Sequence, residues 1–462
     1  MKQNMQDMTR GPLAKQVLMF SLPLILSNLL QVLFNMSDIA VVGRYAGAIP
    51  LGAVGSTTTT VTLFTGFLMG LGGAVNILVA RYYGSRDEKQ LEETVHTSAV
   101  ICLAAGLIIA LLGQVFSHRL LVMLNTKSEL IELAELYLRI YFLGMPALAV
   151  YNFGNAVFSA LGDTKRPLLY LTLAGVINIV LNLFFVIECG MDVDGVAIAS
   201  VISQYISAIL VVTALIKRCD ICRLSIRALR LTPDKTKAVL ILGIPAGIQN
   251  AIFHIANMFI QSGVNSFDAT MVAGDAAAAN ADSIVYTAMS AFYTACSSFM
   301  SQNYGAGRHG RMMRCYRISL AYSFGAGAVL GLMLVAAAPQ FLSLFSPDSA
   351  VVSAGIKRLT IMGASYSFSA FMDCTIAASR SLGKSFVPTF IVIMGSCVFR
   401  IVWIYTVFAY FGTISSLYLL YIFSWSITAT AEIMYFSAVV RKKLPGLARL
   451  KGRRGIRRAK AA

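Results

Sequence analysis

Residues 15–28 read KQVLMFSLPLILSN, and residues 237–250 read KAVLILGIPAGIQN. Lys15, Pro23, Asn28 and Asn35 recur as Lys237, Pro245, Asn250 and Asn257, all at one fixed spacing along the chain. Further on, Tyr83 and Gly84 recur as Tyr304 and Gly305, Gly162 as Gly383, and Pro167 as Pro388, all at a second spacing shorter by a single position. One residue is therefore lost in between. An offset held this constantly marks an internal duplication, and what has been duplicated decides the fold.

The 462-residue chain is 57% hydrophobic and 13% charged, with a mean hydropathy of +0.72, far outside the range of soluble domains. Apolar runs recur along it, each long enough to cross about 30 Å of hydrocarbon. Twelve spans are predicted, near 14–42, 53–80, 93–116, 130–160, 167–188, 194–216, 237–264, 276–303, 315–338, 350–380, 386–410 and 414–440. Six spans per copy return the chain to its starting side, so the copies are parallel repeats. The expected fold is an all-α polytopic membrane protein. Residues 1–216 form an N-lobe, 217–236 a cytoplasmic interlobe loop, 237–440 a C-lobe, and 441–462 a basic cytoplasmic tail. Two such lobes around a central cleft is an arrangement used by transporters that rock one repeat against the other.

The formal net charge of +17 lies mostly in the tails and the even-numbered connections, at Arg81, Arg86, Lys89, Lys165, Arg166, the Lys217–Lys237 loop, Arg308, Arg311, Arg314, Arg317 and Lys384. The odd connections hold little beyond Arg44, Arg119 and Lys127, with Lys357 and Arg358 opening the tenth span. This asymmetry predicts a multi-pass protein of the plasma (inner) membrane with both termini cytoplasmic. The basic tail is expected to rest on anionic headgroups, and no nucleic-acid partner is expected. Cys219 and Cys222 form one CxxC without a second pair or a neighbouring His, so zinc is not expected and both are read as thiols. No P-loop, HExxH, GxSxG in a soluble context or strand-borne GxGxxG is present, which argues against an enzyme and against ATP drive by this chain alone.

Polar residues inside spans carry the functional signal. Asn28, Gln31, Asn35 and Asp38 fall at i, i+3, i+7 and i+10 on the first span, one face of a helix. Asn250, His254, Asn257 and Gln261 repeat the device on the seventh. Each amide alone can be read as an interhelical hydrogen bond. Asp38 differs, because a carboxylate at depth must be paired, hydrated or neutralised, and so can exchange a proton or trade it for sodium. Pro23 removes a backbone hydrogen bond below it and lets the span bend. Asn178 and Asn182 on the fifth span, Asn155 on the fourth and Ser200 on the sixth can complete a cation-coupling site; no metal is expected there, unless the coupling ion is sodium, which Asp38, Asn178 and Asn182 would then hold. In the C-lobe, Asp373 on the tenth span and Arg400 on the eleventh form either a mutually neutralising pair or a substrate contact. His254 is read as a helix contact before a proton carrier.

The chain resembles the multidrug and toxic compound extrusion (MATE) family of cation antiporters, over nearly its whole length. The resemblance rests on SLP and GIP in the paired first helices, NMSDIAVVGR ending the first span, RYYGSRD and QNYGAGR, ALGDTKRP and SLGKSFVP, and NIVLN in the fifth span. RIVWI in the eleventh resembles the bacterial MepA-type branch. The resemblance implies that Asp38 is the cation-coupling aspartate and Pro23 the helix-bending proline. It further implies that Asn155, Asn178 and Ser200 are polar positions of the same site, with Tyr137 an aromatic beside it. Asn182 stands where some members have an acid, and an amide cannot titrate. Asp373 matches an acidic position of members with a C-lobe site, but Phe253 replaces their seventh-span glutamate.

The implied function is alternating-access antiport. Lipophilic, mostly cationic drugs leave while protons or sodium ions enter, with no cofactor and with the protein acting as a monomer among membrane lipids. Asn28, Gln31, Asn35, Tyr137, Asn250, His254, Asn257, Asp373 and Arg400 are the cavity candidates. The alternative is a flippase for a lipid-linked saccharide or other amphiphile, which needs a more basic interior than Arg139, Arg380 and Arg400 provide.

Overall fold

The computed structural model describes residues 7–217 and 222–445. Twelve helical rods account for almost all of them, with no strand among the described residues. They are Leu13–Val41, Ala48–Ser85, Glu88–Met123, a bent pair Ser128–Phe142 and Met145–Ala160, Lys165–Leu183, Val193–Lys217, Pro233–Val264, Ala269–Gly305, His309–Ala336, Ser349–Ser381, Phe386–Phe411 and Ile414–Lys443. The helix starts keep the spacing of the repeat. Ala48 and Ala269, Glu88 and His309, Ser128 and Ser349, Lys165 and Phe386, and Val193 and Ile414 are all separated by the same stretch of chain as Tyr83 and Tyr304.

Local chemistry sets the ends. Asp87, Asp268 and Asp348 cap helices by accepting from the backbone N–H of Gln90, Met271 and Ala350 at 3.1, 2.8 and 2.8 Å, relieving the unpaired donors of a first turn. After the fourth and tenth spans the same turn appears twice. Gly162 and Gly383 have φ of +88° and +79°. Asp163 and Lys384 each donate back to the backbone five residues earlier, at 2.9 and 3.1 Å. This left-handed stop admits glycine at little cost. The fourth span bends by 46°, where Leu143 and Gly144 interrupt it and Pro146 opens the next segment.

Among the described residues, nine helices, plus the bent pair as a tenth, are long and apolar enough to cross a membrane. The eighth and tenth spans are less apolar: Ser, Thr and Tyr residues dilute both, and they carry Asp275, Asp282, Arg358, Asp373 and Arg380. Most of those side chains are buried inside protein, where hydrocarbon does not meet them.

The helices gather into two compact units. One contains Leu22–His254, the other Met8–Ser21 together with the chain from Ile255 onward. The first helix therefore begins in the second unit and passes into the first between Ser21 and Leu22, just ahead of Pro23. The seventh helix does the converse, beginning in the first unit and leaving it after His254.

In the first unit the seventh helix lies so close to the second that a Cβ on Gly70 would stand 2.4 Å from the Gly247 nitrogen. In the second unit Phe20 of the first helix meets Phe299 edge-on, with ring centroids 5.4 Å apart. Each leading segment is tied to the unit where its helix begins. Met8 donates to Gln302 at 3.3 Å, and Arg308 and Arg311 donate to the carbonyls of Thr9 and Gly11 at 2.6 and 2.8 Å. In the first unit, Ser225 donates to His96 Nε2 at 3.0 Å, and Thr97 Oγ1 donates to the Arg230 carbonyl and accepts from Thr232, both at 3.2 Å.

Cys222 is disulfide-bonded, which corrects the thiol reading. Cys219 and the tail from residue 446 lie outside the described residues.

Candidate functional site

Asp38 sits three residues before the end of the first α-helix, which continues as a π turn over Val42–Ala46. The fifth helix also changes to a π turn, Phe184–Glu188, just after Asn182. Such widened turns are frequent at functional sites, because they rotate neighbouring side chains out of α register. Here they flank a closed ring of four polar side chains in the first unit. Asp38 Oδ1 accepts from Asn182 Nδ2 at 2.5 Å, and Oδ2 accepts from Ser200 Oγ at 3.0 Å. Asn182 Nδ2 also reaches Asn178 Oδ1, and Asn178 Nδ2 reaches Ser200 Oγ, both at 3.4 Å.

All four residues are at most 9% exposed. Asn182 Oδ1 is buried with no hydrogen-bond partner among the described residues, so the ring keeps one spare acceptor. An unsatisfied buried oxygen costs about 1–3 kcal/mol, and a bound cation or a donated proton removes that cost. Oxygen atoms from one carboxylate, two amides and a hydroxyl suit a hard monovalent cation as well as a proton. Among the described residues no group of three His, Cys, Asp or Glu forms a metal cluster. Tyr137 is buried beside the ring, feels the Asp38 charge, and stacks on Tyr141 with centroids 5.8 Å apart.

The other candidates scatter. Asn155 is half-buried, its Oδ1 has no partner among the described residues, and it does not join the ring. Gln31 is half-buried and Asn35 exposed, while Asn28 lies about a turn below Gln31 and is half-buried. The seventh-span stripe is divided between units. Asn250 donates to the Gly66 carbonyl at 2.9 Å and His254 packs beside the same glycine in the first unit. Asn257 belongs to the second, where its Oδ1 accepts from Arg400 Nη1 at 3.0 Å.

Arg400 is fully buried between two π turns of the eleventh span, Ile393–Val398 and Ile404–Phe408. It donates to Ser424 Oγ at 3.2 Å and lies 4.6 Å over the Tyr421 ring. It is therefore held by an amide, a hydroxyl and an aromatic face. The neutralising pair with Asp373 does not form: Asp373 is half-buried and makes no hydrogen bond or ion pair among the described residues.

Two acidic features of the second unit escape the sequence reading. Arg358 bridges Asp275 and Asp282 through its two Nη atoms. Tyr418 donates to Asp275 at 2.7 Å, and Tyr366 donates to Asp282. Asp275 and Asp282 are seven residues apart on one face of the eighth helix, a pattern as readable as the first-span stripe. Arg358 reads instead as a topology charge at a helix start. Glu432, fully buried in the twelfth span, is the second, although any mid-span acid is a functional flag.

Two parallel six-helix repeats, with a polar ring inside one of them and conformationally weak first helices, define the class of secondary membrane transporters. The chain belongs to the MatE family: the family model matches residues 23–184 and again 245–406, reproducing the spacing of Pro23 and Pro245. It is 32% identical over 306 residues to the probable multidrug resistance protein YpnP of Bacillus subtilis (strain 168), covering 66% of this chain and 68% of that one. It is 22% identical over 255 residues to the multidrug export protein MepA of Staphylococcus aureus (strain MRSA252), covering 54% and 56%. An outward-facing multidrug resistance MATE family transporter of the MOP superfamily superposes with a TM-score of 0.88 at 21% identity, covering 96% of this chain and 99% of that one. At that identity the likeness shows the fold.

Proposed function

We propose that the protein is a secondary active exporter of lipophilic, mostly cationic small molecules, driven by antiport with protons or sodium ions through alternating access. The observation that carries this reading is the closed Asp38–Asn182–Asn178–Ser200 ring with its spare Asn182 Oδ1. Membership of a family of transporters, and the multidrug names of YpnP and MepA, support the export direction and the drug class. The flippase alternative is not favoured by these relatives.

Ionised Asp38 uses both oxygens to accept from Asn182 and Ser200. A proton arriving at Asp38 needs an acceptor, which Asn182 Oδ1 supplies once the amide turns over. A sodium ion would instead draw on Asp38 with the Oδ1 atoms of Asn178 and Asn182. Either event alters the hydrogen bonds between the first, fifth and sixth helices. Pro23 lies on the same first helix, so the occupied and empty sites favour different bends at a residue that lacks a backbone donor. Antiport then needs only that ion and drug disfavour each other's bound state by about 1–3 kcal/mol. Asp373, Arg400, Asn257, Asn250 and His254 are assigned to the substrate path, and the basic residues of 441–462 to anionic lipid. The protein works as a monomer in the plasma membrane, with both termini cytoplasmic.

The test is efflux of an ethidium-like dye from proteoliposomes under a pH gradient, a sodium gradient, or neither. Efflux is expected under one of the two gradients and to vanish in Asp38→Asn with insertion and monodispersity preserved. Coupled efflux at the wild-type rate in that variant would remove Asp38 from the mechanism.

A further inference from the structure

The most completely buried unused acid lies in the second unit. Glu432 on the twelfth helix is 0% exposed, and among the described residues neither carboxyl oxygen has a hydrogen-bond partner. The hydroxyls around it are already committed. One turn earlier, Thr428 Oγ1 shares a 2.9 Å bond with Ser396 Oγ and donates to the Ser424 carbonyl at 2.7 Å. One turn later, Phe436 packs on Tyr316, whose hydroxyl is bonded to Thr375 at 2.8 Å.

The cation whose field Glu432 feels is Arg380 of the tenth helix. That guanidinium donates to Tyr293 at 2.9 Å and to Thr389 at 3.2 Å, and Asp373 feels it as well. The other titratable or charged groups on the packed elements are Cys374 on the tenth helix, Cys397 and Arg400 on the eleventh, Tyr316 on the ninth and Tyr435 on the twelfth itself. Arg400 is held by Asn257 and Ser424. Two carboxyl groups thus lie in the field of one guanidinium, Arg380, which also donates to Tyr293 and Thr389.

We propose that Glu432 is a proton-binding site of the second unit, separate from Asp38. A proton fits where a metal cation does not. It needs one lone pair of one oxygen, whereas a hard cation gathers several oxygen ligands, and among the described residues no group of three His, Cys, Asp or Glu gathers around Glu432. The repeat agrees that the acid is not there for packing: its counterpart in the first copy is Val211, a fully buried core residue. When the proton leaves the Glu432 oxygen for water, the carboxylate it leaves behind competes with Tyr293 and Thr389 for Arg380. The hydrogen bonds that join the eighth, tenth, eleventh and twelfth helices then rearrange. The protonation state of one side chain is so converted into a change of helix packing.

Infrared difference spectroscopy of the full-length protein in lipid, in light and heavy water, tests this directly. A deuterium-sensitive protonated-carboxyl band is expected at neutral pH in the wild type, to persist in Asp38→Asn, and to lose the intensity of one carboxyl in Glu432→Gln. Glu432→Asp should move the band rather than remove it, which keeps the test open if the glutamine variant does not fold. An unchanged band in whichever of the two variants folds would overturn the proposal. Because Asp38→Asn is scored separately, failure at Glu432 leaves the Asp38 reading standing, and the reverse.

Discussion

Asp38 is expensive to bury, and the ring shows how its cost is met: each oxygen has one neutral donor, and no cation is paired with it among the described residues. Removing a donor should therefore be felt at once. Asn182→Leu leaves Asp38 Oδ1 without its partner at 2.5 Å, and the loss of a hydrogen bond to a charged group is worth about 1.5–3 kcal/mol. The expected outcome is a lower thermal midpoint in detergent and loss of gradient-driven efflux. The matched control is Trp403→Leu, since Trp403 is the repeat counterpart of Asn182 in the unit that lacks the ring; it should keep coupling. Equal loss in both variants would mean that the fifth-span position matters for packing alone. The cost of buried charge singles out Asp38, and of its expected partners Asn178, Asn182 and Ser200 stand beside it, but Asn155 does not, and the helical face that Asp38 is expected to share with Asn28, Gln31 and Asn35 does not enter the ring. The spare Asn182 oxygen was not legible, because amide orientation depends on partners that only the fold supplies.

The spans and their duplication were readable, since hydropathy is local, but the helices that begin at Ala48, Glu88, Ala269 and His309 start five to seven residues ahead of the apolar runs. What could not be read is that the first and seventh helices each begin in one unit and end in the other. Nothing in the spacing of a repeat says which half of a helix packs where. The glycines held the hint, but only in retrospect. Gly70 and Gly247 let two helices meet backbone to backbone, whereas a Cβ on Gly73 would meet nothing within 4 Å. Gly70→Val should force the second and seventh helices apart in the first unit, at the roughly 1–3 kcal/mol typical of overpacking. Gly73→Val, in the same helix, should sit within about 0.5 kcal/mol of wild type. Thermal midpoints of the two purified variants decide it, and parity between them would show that the close approach carries no stability.

At the scale of the whole molecule, the repeat has divided its polar residues between its copies. Asp38, Asn178, Asn182 and Ser200 correspond to Ile260, Phe399, Trp403 and Tyr421, an apolar and aromatic set. Conversely, Asp275, Asp282, Arg358, Tyr366 and Tyr418 correspond to Val54, Val61, Tyr137, Met145 and Ala197, which pack in one apolar cluster of the first unit. One backbone plan thus accepts either an ion network or a hydrocarbon core at the same five places. Breaking such a network one-sidedly is costly: Arg358→Met strands two carboxylates, and loss of one partner of a buried ion pair costs about 3–5 kcal/mol. Replacing a whole network by packed apolar residues is often neutral or stabilising. The five-fold variant Asp275→Val, Asp282→Val, Arg358→Tyr, Tyr366→Met and Tyr418→Ala, which imports the first unit's own solution, should therefore recover most of the thermal midpoint that Arg358→Met loses. If it recovers stability and still exports dye under a gradient, the network serves structure, and coupling lies elsewhere. If it is as unstable as Arg358→Met, the two copies do not share an interchangeable core, and the correspondence between their positions is one of backbone alone.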